Sequence, residues 1–341
     1  MRAQRLEKPA AADRRPLVAV ELDDPRPGPG EVVVDVAACA VCRTDLQLCE
    51  GDLEAHLLPI VPGHQIVGRI STVGDGVDPA RVGERVGIAW IASTCGRCRF
   101  CTTARENLCV EARFTGWDCD GGYADKTLAR ADFVHPLPEG FDDLDAAPLL
   151  CGGVIGYRSL KIAGVEAGMR VGLYGFGASA STVIQVAVHL GCTVYVVTRS
   201  SAEQDRARRL GAAWVGGLEE SPPVPLDAAI TFAPVGEVVV RALSDLDRGG
   251  VVAVNAIHLD RIPQFDYDRL WWERQIRSVA NVTRVDVREF LDLAARIPIR
   301  TQYEVADLDR ANDALGRLAR GEIRGASVLR VSGLSPTSTT S

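Results

Sequence analysis

Long apolar runs are missing from this 341-residue chain. Nothing in it approaches the roughly 20 consecutive apolar residues that span a bilayer. The opening stretch from Met1 to Pro16 is charged and leads into no apolar segment, so no secretory signal is expected. Surplus positive charge is missing as well. Lys and Arg total 38 against 45 Asp and Glu, a formal charge of −7, and no basic block offsets it. Neither nucleic acid nor anionic membrane is therefore expected as a partner. No internal repeat is visible, and the polar tail 332–341 reads as disordered.

What the chain has is cysteine, ten residues of it. In the cytoplasmic setting these absences imply, thiols stay reduced, so metal binding comes before disulfides. Four of the ten stand in Cys95-Gly-Arg-Cys98-Arg-Phe-Cys101, with Cys109 after a longer gap. Two-residue gaps aim successive thiolates at one centre, and the longer gap closes a tetrahedron. Four thiolates leave no open position, which marks a structural zinc. An iron–sulfur cluster of the bacterial ferredoxin kind would want Cys-x3-Cys-Pro after Cys101, whereas here the gap is longer and Val110 stands in the proline's place.

Length favours two domains. Residues 1–150 carry short β-branched runs broken by Gly and Pro, such as Val32 to Val36, Ile66 to Ile70 and Arg85 to Ile88, and read as a β-rich, barrel-like unit. From 151 strands and helices alternate, as a parallel sheet with right-handed crossovers requires. After Thr283 a last stretch, 284–331, is expected to return to the first unit.

Within the alternating part, Val171 to Tyr174 runs into Gly175-Phe-Gly177-Ala178-Ser179-Ala180, a G-x-G-x-x-A turn between strand and helix. Gly175 permits the tight turn, Gly177 lets backbone approach a pyrophosphate, and small Ala180 allows close helix packing. The helix N-terminus, with Ala178 and Ser179 in its first turn, offers N–H donors to phosphate. A nicotinamide dinucleotide is the expected cofactor. The next strand ends Val197-Thr198-Arg199-Ser200 without the acid of an NAD site. Arg199 suits a 2′-phosphate, with Thr198 and Ser200 as further donors, so NADP(H) is favoured over NAD(H).

Cys42, His64 and Cys151 are scattered, and each alone is a weak signal. Together they would make a Cys2His set, the donors of a catalytic zinc with one position left for substrate.

In their order (Cys42-Arg43-Thr44-Asp45, Gly63-His64, the four-cysteine lobe, Cys151, the glycine turn) these motifs make the chain resemble the zinc-dependent medium-chain alcohol dehydrogenases from about residue 20 to 331. The resemblance implies an α/β fold: a Rossmann doubly wound parallel sheet over 151–283 plus a β-rich GroES-like catalytic domain over 1–150, with the active site in the cleft between. It implies hydride transfer between a small alcohol or aldehyde and the nicotinamide, and a homodimer or homotetramer. Cys42, His64 and Cys151 take the place of the catalytic zinc ligands, Thr44 that of the hydroxyl that relays the substrate proton. Asp45 matches the acid behind the zinc site and Arg43 a pyrophosphate contact, while Trp90 and Trp117 are candidates for an apolar substrate pocket. Gln65 and Gln47 depart from the pattern, standing where Glu and a proton-passing His are common; glutamine does not titrate near neutrality. Cys39, Cys49, Cys119 and Cys192 read as spare thiols, His56, His135 and His189 as structural, and His258 as a candidate neighbour of the nicotinamide. The rival readings are a zinc-free reductase of activated double bonds and a non-catalytic redox sensor.

Arg199→Asp is expected to lower the NADP/NAD ratio of kcat/KM by about tenfold or more, the scale of one charge-assisted bond; an unchanged ratio removes Arg199 as the selector.

Overall fold

The computed structural model describes residues 1–297 and 299–331; the tail 332–341, expected from sequence to be disordered, lies outside them. The chain opens with an antiparallel ribbon of β1 (Arg2–Leu6) and β2 (Leu17–Glu21). It continues through β3 (Glu31–Val41), helix α1 (Arg43–Glu50), β4 (Ile66–Val73) and β5 (Arg85–Ile88). A short pair comes next, β6 (Ile91–Ser93) and β7 (Arg113–Phe114), then β8 (Lys126–Arg130), β9 (Val134–Pro136) and helix α2 (Asp143–Ala146). The chain then alternates: α3 (Gly152–Ile162), β10 (Arg170–Tyr174), α4 (Ala178–His189), β11 (Thr193–Val197), α5 (Ser201–Arg209), β12 (Trp214–Gly216), β13 (Leu226–Thr231), α6 (Gly236–Ser244), β14 (Leu246–Val254), β15 (Gln275–Ser278) and α7 (Arg284–Ala294). It ends with β16 (Tyr303–Asp307), α8 (Ala311–Ala319) and β17 (Ala326–Arg330).

Two compact units result. The first takes Met1–Cys151 and the chain from Gln302 onward; the second takes Gly152–Thr301. In the first, a sheet runs in the order β16-β17-β3-β4-β5-β9, with β8 also paired to β3. Alternation decides its core: Val32, Val34, Val36 of β3 and Ile66, Ile70 of β4 bury one face together with Tyr123, Leu315 and Leu329. In the second, six parallel strands run β12-β11-β10-β13-β14-β15. Their near-continuous apolar stretches, such as Val194 to Val197, suit strands covered on both faces. The order is that of a doubly wound dinucleotide fold, with the switch between β10 and β13.

Two boundaries differ from the sequence expectation. Cys151 closes the first unit rather than opening the second. The return begins at Gln302 rather than at 284, because α7 is tied to α3 by charge. Asp286, 1% exposed, accepts from Arg158 and Lys161 of α3. It also bonds the Thr283 N–H and hydroxyl at 2.9 and 2.8 Å, forming the box that starts α7. Helices α1 and α3 are additions to the sequence expectation, since neither carries a clear apolar stripe.

Burial disfavours the charge on Asp286, yet the Thr283 N–H, Lys161 and Arg158 outweigh it and hold the carboxyl below its ordinary range. Its contribution to stability is therefore complete above about pH 4 and lost as pH falls through the folded value. Asp286→Ala should cost about 3 kcal/mol in urea unfolding at pH 7, since it leaves the mostly buried Arg158 without its carboxylate, while the exposed Lys161 keeps Glu289. A loss below about 1 kcal/mol would show that the cluster is ornamental.

Candidate active site and metal centres

The four-cysteine lobe is a loop between β6 and β7, part of it wound into short 3-10 turns. Its sulfurs meet: Cys95 to Cys101 at 3.9 Å, Cys98 to Cys101 at 3.6 Å and Cys95 to Cys109 at 3.5 Å. A tetrahedral zinc with bonds of about 2.3 Å needs sulfurs about 3.8 Å apart. The donor set fits that ion. Backbone N–H groups help: Cys98 N–H donates to the Cys95 sulfur at 3.4 Å, and Cys95 N–H to the Cys109 sulfur at 3.4 Å. The Cys98 thiol is drawn down to about 6, chiefly by the backbone N–H of Cys101.

The second cluster is assembled from three distant segments of the first unit. Cys42 precedes α1, His64 lies in the loop before β4, and Cys151 comes after the 3-10 turn Ala147–Leu150. Their ligand atoms all lie within 4.8 Å of one another. Cys42 and Cys151 sulfurs are 3.9 Å apart, and His64 Nε2 is 3.4 Å from the Cys151 sulfur. Zinc–sulfur and zinc–nitrogen bonds of ordinary length ask for about 3.8 and 3.5 Å. These donors fit a zinc ion as well. With only three of them, a fourth position is left.

Asp45 organises this cluster. It is 2% exposed, and its carboxylate accepts from Cys42 N–H at 2.8 Å, Gly63 N–H at 3.3 Å and Tyr123 hydroxyl at 3.2 Å. The same carboxylate stands 3.0 Å from His64 Nδ1. Holding Nδ1 turns Nε2 toward the sulfurs, the arrangement that orients a metal-binding imidazole. Burial opposes a charge on His64, but Asp45 and Cys42 raise it to about 10. Cys42 is held well below the usual thiol range by its bond with Cys151 first and by His64 beside it. Tyr123 is absent from the sequence candidates, because nothing in its local pattern distinguishes it from a core tyrosine.

Thr44 Oγ1 lies 3.8 Å from the Cys42 sulfur. Arg43 is exposed. Gln47, one turn along α1, keeps a buried Oε1 with no hydrogen-bond partner among the described residues. Gln65 turns away, its amide donating to the Ala40 carbonyl at 3.2 Å. The aromatic candidates do come together. Trp90 lies 5.9 Å from the His64 ring and 5.8 Å from Trp117, with Phe114 in contact with both tryptophans. Trp117 continues outward to stack on His56 at 4.0 Å.

In the second unit Gly175 adopts φ +87°, and a side chain there would press on the Ala233 N–H. Gly177 precedes α4 with nothing within 4 Å of where a Cβ would stand, so backbone is open to a ligand. Ala178 and Ser179 open α4. These features fit a pyrophosphate. At the end of β11, Arg199 is exposed, Ser200 caps α5 by accepting from Glu203 N–H, and Thr198 is buried. Arg206 emerges as a further contact: buried, it donates to the Gly177 carbonyl at 3.1 Å and lies over the Phe176 ring. In sequence it is one arginine among several. His258 is exposed beyond β14.

A metal-ready Cys2His cluster and a dinucleotide fold together define a zinc- and nicotinamide-dependent oxidoreductase. Residues 28–139 match the alcohol dehydrogenase GroES-like domain. The chain is 48% identical over 337 residues to "Probable alcohol dehydrogenase AdhA" of Mycobacterium tuberculosis, covering 97% of each. Among solved structures it resembles a cinnamyl alcohol dehydrogenase of Sorghum bicolor, at TM-score 0.88 and 26% identity over 99% of both chains. A cobalt- and zinc-bound thermostable alcohol dehydrogenase of Pyrobaculum aerophilum is similar at TM-score 0.87 and 25% identity, over 97% of this chain and 99% of that one. The chain belongs to the zinc-dependent medium-chain alcohol dehydrogenases.

Metal analysis should find two zinc ions per purified chain. Cys42→Ala should leave one. Asp45→Asn should weaken retention of that same ion by about 10- to 100-fold in chelator competition, the usual cost of losing the group behind a ligating histidine. One zinc in the parent chain, unaffected by Cys42→Ala, would overturn the second centre.

Proposed function

We propose that this enzyme interconverts alcohols and aldehydes or ketones with NADP(H) as the preferred hydride carrier, and that Cys42, His64 and Cys151 hold a catalytic zinc while the four-cysteine lobe holds a structural one. The observation that carries the reading is the Cys2His set, its histidine buried and its cysteines half-buried, with a threonine hydroxyl beside it. When bound, zinc supplies the Lewis acidity that makes an alcohol hydroxyl acidic near neutral pH, and the nicotinamide supplies the hydride acceptor.

The chain's own residues do the rest. Thr44 accepts the substrate proton at Oγ1 and passes on its own. Asp45 holds the His64 ring in one orientation. Gln47 does not titrate and cannot take the proton further, so release from Thr44 to water is slower or takes another route than through this position. Trp90 presents an apolar face beside His64, with Trp117 stacked next to it, which suits an alcohol with an aromatic or allylic body. The turn Gly175 to Ser179 binds the pyrophosphate. Arg199, with Thr198 and Ser200, receives the 2′-phosphate; the absence of an acid at the end of β11 supports NADP(H). A homodimer or homotetramer is also proposed: β15 ends its sheet, and Trp271 and Trp272 just before it are half exposed.

NADP reduction over a panel of primary, allylic and aromatic alcohols tests the reaction. Thr44→Ala should lower kcat by about 100-fold or more with little change in KM, as for loss of a proton-transfer group, and Thr44→Ser should restore most of it. Turnover of activated double bonds with none of alcohols would favour the reductase chemistry instead.

A further inference from the structure

Helix α5 carries three arginines near its end, and they are treated differently. Arg208 and Arg209 are exposed, whereas Arg206 is buried. Arginine is almost never buried unless it is paired, and it stays protonated. Its Nη1 lies 3.4 and 3.3 Å from the Glu203 carboxylate oxygens, one turn earlier on the same helix. A pair at that spacing forms equally well in solvent, so it does not explain why the guanidinium turns inward. The reason lies across the helix, in the glycine turn. Nη2 donates to the Gly177 carbonyl at 3.1 Å, and the guanidinium carbon stands 5.5 Å from the centre of the Phe176 ring.

The Gly177 carbonyl belongs to the same peptide as the Ala178 N–H. A trans peptide is planar, and its carbonyl and N–H point in opposite directions. Two donors hold this carbonyl: Arg206, and the Ser181 N–H at 3.0 Å as α4 begins. The Ala178 N–H is thereby aimed the other way, out of the helix N-terminus, where the first N–H groups have no intrahelical acceptor. Gly177 is exposed, and nothing stands within 4 Å of where its Cβ would be. A cation on the carbonyl oxygen also polarises the peptide and strengthens the N–H at its far end as a donor. Helix α5 is a firm base for this contact, since Gln204 ties it to the end of β11 by donating to the Thr198 carbonyl at 2.9 Å.

We infer that Arg206 is a positioning residue for the dinucleotide: from behind the glycine turn it fixes and polarises the Gly177–Ala178 peptide, so that the Ala178 N–H meets the pyrophosphate already oriented. Arg206 itself touches no phosphate. The turn is set before the ligand arrives, which lowers the cost of ordering it on binding. This inference rests on the reading that a nicotinamide dinucleotide is the cofactor.

The test is calorimetric titration of the full-length chain with NADPH and NADH, which share the pyrophosphate and differ in the 2′-phosphate. Arg206→Met keeps the length of the stem and removes the charge and its donors. It should weaken both dinucleotides about tenfold, the scale of one charge-assisted hydrogen bond. Arg206→Lys keeps the charge and a donor, and should weaken both only about threefold. Should Arg206→Met not fold, Arg206→Lys still reads the bond through that smaller, equal loss. Unchanged affinity in the variants overturns the inference, and so does a lysine variant as weak as the methionine one. A loss confined to NADPH assigns Arg206 to the 2′-phosphate and overturns it too. A parent chain that binds neither dinucleotide overturns the cofactor reading and this inference with it.

Discussion

One buried carboxylate carries the arrangement of the first unit. Asp45 gathers the N–H of Cys42, the N–H of Gly63, the His64 ring and the Tyr123 hydroxyl around two oxygens. A carboxylate removed from water survives only when its lone pairs are filled, so these four donors cannot drift apart. The start of α1, the loop before β4 and the segment around Tyr123 are thereby locked into one piece. His64 gains a fixed orientation, and Cys42 a fixed distance from it.

The two sulfur-rich clusters solve different problems. In the lobe, one short loop brings four thiols together, and a metal there cross-links the loop to itself. In the other, Cys42, His64 and Cys151 come from segments far apart in the chain and are joined only by the folded unit. Three donors leave room where four would not, which is why the second cluster suits chemistry and the first suits structure. The hydrogen-bonded Asp45 is what makes the more expensive, buried arrangement tolerable.

A few buried polar atoms have no hydrogen-bond partner among the described residues, in structural ion pairs such as that of Arg158 as well as near the proposed site. Gln47 beside Thr44, and Asn255 and Asn281 at the strand ends, all keep buried polar atoms unbonded. Elsewhere similar groups are absorbed: Asp286 by α3 and Thr283, Asp227 by Arg170.

Much of this is legible from residue order. The lobe, the glycine turn, the alternation of strand and helix, and the family resemblance all rest on local spacing, because two-residue gaps, tight turns and strand–helix periods are properties of a few neighbouring residues. That part the sequence by itself determined. It could not assign α7 to the second unit, since the bonds of Asp286 to Arg158 and Lys161 reach back more than 120 residues. Nor could it single out Tyr123 or Arg206, whose types are common and whose importance lies in what surrounds them. Convergence of Cys42, His64 and Cys151 to tetrahedral spacing, and the burial of Arg206 against the glycine turn, were decided by tertiary structure alone. Those are distances between segments remote in the chain, and only the packed core and the buried carboxylate set them.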